Sequence, residues 1–203
     1  MENFFVNSIA QAELADKERG FVRHCGLDCL ERSESAVFEE LVDGLRRGRS
    51  LDLETGNGDF AGLASRLGFE AVGIDLGEEV VSEARARNPE AVFRVMDARH
   101  LPHRWKNCFD LVTIMTCCLS DFDDEEKERV VAGAATVLRG GGSLVVSDWN
   151  KCGGKLNCPK TGFDWKRCGC ANEVACLLGG DFEIRKRAMH SGNKKFTIVA
   201  EKW

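Results

Sequence analysis

From Ser50 onward, short apolar runs alternate with helical stretches, and this alternation restricts the fold more than any other feature of the chain. The runs "SLDLE", "EAVGID", "AVFRVMD", "FDLVTIMTC" and "GSLVVSDW" read as strands. Between them, "DFAGLASRLG" reads as a helix closed by Gly68, and "EEVVSEARARN" as one stopped before Pro89. "DDEEKERVVAGAATVLRGG" reads as a helix with acids in its first turn and Gly-Gly at its end, an order that suits the helix dipole. Strands separated by helices run parallel, with helices packed on both faces. The end of the chain departs from this rule. "DFEIRKRAM" and "KKFTIVAEKW" are separated only by "HSGN", too short for a crossover helix, so they are expected to form an antiparallel hairpin. The expected fold is α/β: a doubly wound, mostly parallel sheet with an antiparallel C-terminal hairpin.

Ahead of the sheet, "SIAQAELADKERGFV" and "SESAVFEELVDGLRRG" carry apolar residues at helical spacing, the second from a Ser cap to Gly48. A length of 203 residues fits one domain. Residues 1–48 would be a helical lid or edge cover, 49–149 the ligand-binding core, and 150–203 a cysteine-containing loop, helix and hairpin. No apolar run reaches the ~20 residues that span a bilayer, so no membrane is expected. The first residues lack the basic start and apolar core of a secretory signal, so a cytoplasmic location is expected. Ten cysteines in such a chain argue against a disulfide framework. Residues 151–203 carry a net charge of +6 and the rest −11. The positive residues are dispersed among strand positions, which favours a solvated face over a nucleic-acid surface.

In an open parallel sheet, ligands bind beyond the carboxyl ends of the strands. After the first strand come Glu54, Thr55, Gly56, Asn57 and Gly58. Gly56 and Gly58 can take φ > 0 and let backbone approach a ligand, and the next helix offers free N–H groups. After the second strand comes Asp75, an acceptor for a ribose diol, and after the third Asp97, an acceptor for an exocyclic amine. Glycines plus Asp75 point to a nucleoside-containing cofactor but leave a dinucleotide and S-adenosylmethionine both open.

The segments "LDLETGNGDFA", "AVGIDLGEEVVSEA", "FRVMDARHLP", "FDLVTIMTCCL" and "VLRGGGSLVVSDW" together resemble class I S-adenosylmethionine-dependent methyltransferases in order and spacing, from Arg49 to about Trp149. The resemblance implies a Rossmann-like, seven-stranded sheet with the terminal strand inserted antiparallel beside the fifth. It implies S-adenosylmethionine as cofactor, with Gly56 and Gly58 flanking its methionine part. Asp75 would hold the ribose hydroxyls with Leu76 beside it. Asp97 and the Ala98 backbone would take the adenine, and Met115 would lie near the methionine. Each residue also has a plain structural role open to it, as a turn, a cap or core packing. Glu54 is the departure, because the family usually has glycine there. It could accept a hydrogen bond from the methionine ammonium, point away, or block the cofactor.

"KCGGKLNCPKTGFDWKRCGC" places Cys152, Cys158, Cys168 and Cys170 at C-x5-C-x9-C-x-C. Zinc sites usually pair C-x2-C knuckles, so free thiols are expected here and no metal. Cys117 and Cys118 are expected to be core, with an acceptor-pocket role as the alternative. His100, His103 and Asp148 are candidate general bases near strand ends. The reading is methyl transfer to a small-molecule acceptor. The alternatives are an RNA or protein acceptor, or a non-catalytic S-adenosylmethionine-binding protein, with a dehydrogenase as a further competitor. The Asn-Pro-Pro-Tyr-type motif of amino-group methylation of bases is missing after the fourth strand. Nucleic acid is therefore not an expected partner.

Overall fold

The computed structural model describes residues 32–115, 118–149, 171–190 and 195–203. Its strands are β1 (Arg49–Leu53), β2 (Glu70–Asp75), β3 (Val92–Val95), β4 (Phe109–Ile114), β5 (Leu138–Trp149), β6 (Phe182–His190) and β7 (Lys195–Lys202). They form a seven-stranded sheet in the order β3-β2-β1-β4-β5-β7-β6. β1 to β5 pair in parallel, and β7 enters between β5 and β6, antiparallel to both. The expected hairpin and its insertion beside the fifth strand are both present. Strand order reverses between β1 and β4, the kind of switch point at which open α/β sheets bind ligands.

The helices are α1 (Arg32–Val42), α2 (Asp59–Arg66), α3 (Glu78–Arg87), α4 (Asp124–Val137) and α5 (Ala171–Leu178). The alternating side chains of the central strands feed two apolar layers. Leu51, Leu53, Val112, Ile114, Leu144 and Val146 pack under α4 and α5. Leu111, Met115 and Val145 pack on the other face against Phe38 of α1 and Phe60 of α2. The two phenylalanine rings meet edge to face, with centroids 5.4 Å apart. Burial of each such side chain stabilises the fold by about 1.5–3 kcal/mol.

Two helix ends differ from expectation. α1 stops at Val42 instead of Gly48, where the Arg47 guanidinium reaches back to the carbonyls of Val42 (2.6 Å) and Leu45 (3.1 Å). These bonds satisfy carbonyls that a longer helix would have covered. α4 opens on a capping box between Asp123 and Glu126 and ends at Val137, before the Gly-Gly pair. Leu138 is already extended and pairs with Phe109, so the glycines belong to β5 and sit at its register shift. The helix expected over residues 8–22 lies outside the described residues, as do Phe4, Phe5, Cys117 and the four cysteines from 152 to 170.

Candidate active site

The chain leaves β1 through a turn in which Glu54 (φ 54°), Gly56 (54°) and Gly58 (82°) all have left-handed backbone. Glu54 therefore stands where glycine is the unstrained residue, at a cost on the order of 1 kcal/mol. The two glycines serve different ends. A Cβ on Gly56 would meet no heavy atom within 4 Å, so this position borders open space. A Cβ on Gly58 would lie 2.7 Å from Phe93 Cζ and 3.0 Å from Asn88 Nδ2. Asn88, which is buried, donates in turn to the Asn57 carbonyl at 3.2 Å and so holds the loop from below.

Two buried carboxylates fix this turn. Asp52, inside β1, accepts the hydroxyls of Thr55 and Thr113, each at 2.6 Å. Burial pushes its carboxyl up to about 6, against the pull of those two hydroxyls. Asp75, at the end of β2, accepts the Gly56 N–H on Oδ2 (2.9 Å) and the Gly77 N–H on Oδ1 (3.1 Å). Burial raises its carboxyl as well, opposed by the neighbouring backbone N–H groups. Asp75 thus ties the β1 and β2 exits together, and each oxygen retains acceptor capacity. Beside it, Leu76 is 36 % exposed, an apolar surface at the rim of the site.

The β3 exit follows directly, because Met96 N–H donates to the Asp75 carbonyl at 2.8 Å. Asp97 is ringed by donors: Arg99 Nε (2.9 Å), Arg99 Nη2 (2.8 Å), the Arg99 N–H (2.8 Å) and His100 Nδ1 (3.2 Å). Burial alone would raise its carboxyl, but the Arg99 and His100 contacts outweigh it and hold it at about 2. Ala98 is fully buried.

At the β4 exit, Met115 is buried, and its carbonyl receives the Cys118 thiol at 2.7 Å. The same sulfur lies 3.4 Å from the Glu54 carbonyl. Cys118 therefore bridges the β1 and β4 exits and packs in the core, as expected for a buried cysteine. Asp148, at the end of β5, accepts the Ser120 hydroxyl (2.8 Å) and the Trp149 N–H (2.6 Å). Burial raises its carboxyl to about 7. Of the three candidate bases, Asp148 is buried at a strand end, His100 lies against Asp97 at 3.2 Å, and His103 is exposed on a short 3-10 turn.

The structure thus brings Glu54, Gly56, Gly58, Asp75, Leu76, Asp97, Ala98 and Met115 to the carboxyl ends of four adjacent strands. Sequence reasoning missed Asp52, Asn88, Arg99, Ser120 and Glu126. Asp52 had a visible signal, an acid inside an apolar strand. The others act through contacts between distant segments. The chemistry of the donor set fits an adenosine-bearing sulfonium: acceptors for a diol and an amine, an apolar rim, and a loop position with no side chain.

Residues 51–142 match the family profile described as "Methyltransferase domain". No curated protein sequence matches the chain. Among solved structures, the PH0226 protein from Pyrococcus horikoshii OT3 is 23% identical, with 88% of this chain and 92% of that one covered at a TM-score of 0.70. A TehB-like SAM-dependent methyltransferase from Corynebacterium glutamicum is 18% identical, covering 93% and 99% at 0.67. The glycopeptide N-methyltransferase MtfA, solved with S-adenosyl-L-methionine, is 14% identical, covering 83% and 86% at 0.66. At these identities the structures establish the shared fold. On that fold, residues 51–142 carry a methyltransferase domain, and the chain is similar to class I S-adenosylmethionine-dependent methyltransferases.

Proposed function

We propose that the chain methylates a small-molecule acceptor, with Glu54, Gly56, Gly58, Asp75, Leu76, Asp97, Ala98 and Met115 holding the cofactor. The observation that carries this reading is the Asp75 carboxylate, which orders the Gly56 loop while keeping acceptor capacity on both oxygens. Asp75 would take the ribose hydroxyls, Asp97 the adenine amine and Glu54 the methionine ammonium. Gly56 leaves room for the ligand, and Met115 with Cys118 closes the methionine end with poorly hydrated atoms. When bound, S-adenosylmethionine supplies an already activated methyl group, so the protein's main task is alignment of the acceptor.

A small acceptor is favoured because the fold is shared with a glycopeptide N-methyltransferase. Within the basic C-terminal segment, Arg185 is engaged by Glu183 (2.7 Å) and Glu201 (3.0 Å). The same reading takes residues 1–203 as one domain, with 1–48 as an N-terminal lid or edge cover. It places the protein in the cytoplasm, where free thiols such as Cys108, Cys118 and Cys176 persist. No helix among the described residues is long and apolar enough to cross a membrane. Transfer of labelled methyl to a panel of small thiols, amines and alcohols, run beside RNA and protein acceptors, tests the proposal. Turnover on RNA alone, with the steep salt dependence of phosphate contacts, would replace it.

A further inference from the structure

The donors around Asp97 are unequal. A carboxylate offers about four lone-pair sites. On Oδ1 the Arg99 N–H and Nε take two of them, at 2.8 and 2.9 Å. On Oδ2 the donors are Arg99 Nη2 at 2.8 Å, a longer Nε contact at 3.1 Å and His100 Nδ1 at 3.2 Å. The guanidinium is itself held from behind, because its Nη1 donates to Glu126. Glu126 is fixed in turn by the capping box of α4. Arg99 therefore spans two carboxylates of different elements and meets Asp97 as a planar fork, a geometry lysine cannot reproduce. His100 differs. Its side chain is 70 % exposed and makes the longest of these contacts, so its place on Oδ2 is the one a ligand donor can take.

We propose that Arg99 is the positioning residue of the nucleobase subsite, locking the Asp97 carboxylate so that Oδ2 selects a purine carrying an exocyclic amine, with His100 as the displaceable occupant of that oxygen. The inference rests on the assignment of Asp97 to the adenine. Ionised and held on one side by the fork, Asp97 has no freedom to turn into a donor or to swing away from a base that lacks the amine. The cost of ordering it is met before the ligand arrives, which is what preorganisation contributes to affinity.

The test is calorimetric titration of the full chain with S-adenosylhomocysteine and with its 6-desamino purine analogue, read as the ratio of the two affinities. A ratio taken on one protein is insensitive to a uniform loss of stability. The wild type should prefer the adenine ligand by about tenfold or more, the strength of a hydrogen bond to a charged acceptor. Arg99→Gln should reduce the ratio to about twofold, Asp97→Ala to about one. His100→Ala should widen it by strengthening the adenine ligand alone. If Arg99→Gln does not fold, Arg99→Lys carries the same expectation. An unchanged ratio in the Arg99 variant, with Asp97→Ala still collapsing it, overturns the positioning role and leaves the Asp97 assignment standing. An unchanged ratio in Asp97→Ala overturns that assignment and the inference with it.

Discussion

Substituting alanine separately at Gly56 and Gly58 should separate the needs of the ligand from those of the fold. Both residues have left-handed backbone, so each alanine meets a conformational cost of roughly 1–2 kcal/mol. Each also gains about 0.4–1 kcal/mol from the stiffer unfolded chain. At Gly56 nothing else is added, because its Cβ would meet no heavy atom within 4 Å. The expected loss of stability there is about 1 kcal/mol. At Gly58 the methyl would sit 2.7 Å from Phe93 and 3.0 Å from Asn88, both buried. Overpacking of that kind costs a further 1–3 kcal/mol or so, for a total of about 2–4 kcal/mol. Urea unfolding with a shared slope reads both values. Calorimetry with S-adenosylhomocysteine should show the reverse order, with Gly56→Ala losing about tenfold or more in affinity, equivalent to about 1.4 kcal/mol, while folded Gly58→Ala loses less. Equal stability losses would refute the packing argument. Wild-type affinity in Gly56→Ala would remove the loop from the cofactor site.

Other perturbations follow from the carboxylates and from Glu54. Asp148 has its carboxyl raised by burial to about 7. Between roughly pH 4 and 7 the folded state holds a proton that the unfolded state has released, so this group lowers stability by up to about 1.4 kcal/mol per pH unit as pH rises. Asp148→Asn should therefore gain on the wild type across that window and level off above it in urea titrations at stepped pH; a constant offset would contradict the raised carboxyl. Glu54→Gly relieves left-handed strain but adds unfolded-chain freedom, leaving stability within about 1 kcal/mol. Its affinity for S-adenosylhomocysteine should fall. Unchanged or improved affinity would end the ammonium-contact assignment.

The strand-helix alternation was legible because it depends on local apolar periodicity, and the sheet reproduces it strand by strand, down to β2 at Glu70–Asp75. Misjudged boundaries lie where distant partners decide. Arg47 ends α1 by taking the Val42 carbonyl, and pairing of Phe109 with Leu138 draws the glycines after α4 into β5. The ligand-facing positions could be read because topology puts them after strands. Their supports could not: Asn88 under Gly58, Glu126 behind Arg99, and Ser120 on Asp148 are contacts across tens of residues with no spacing signature. Glu54 sits between these cases. Its oddity was visible, but the reason glycine is preferred there, a backbone φ of 54°, is a property of the folded turn.

The most direct test of the cofactor site is a crystal structure of the chain with S-adenosylhomocysteine. In it the ribose hydroxyls should sit on the Asp75 carboxylate, the adenine amine on Asp97 in place of His100, and the homocysteine sulfur over Gly56 towards Met115. A ligand seated elsewhere, or one whose ribose leaves Asp75 bonded only to the Gly56 and Gly77 backbone, would contradict that site.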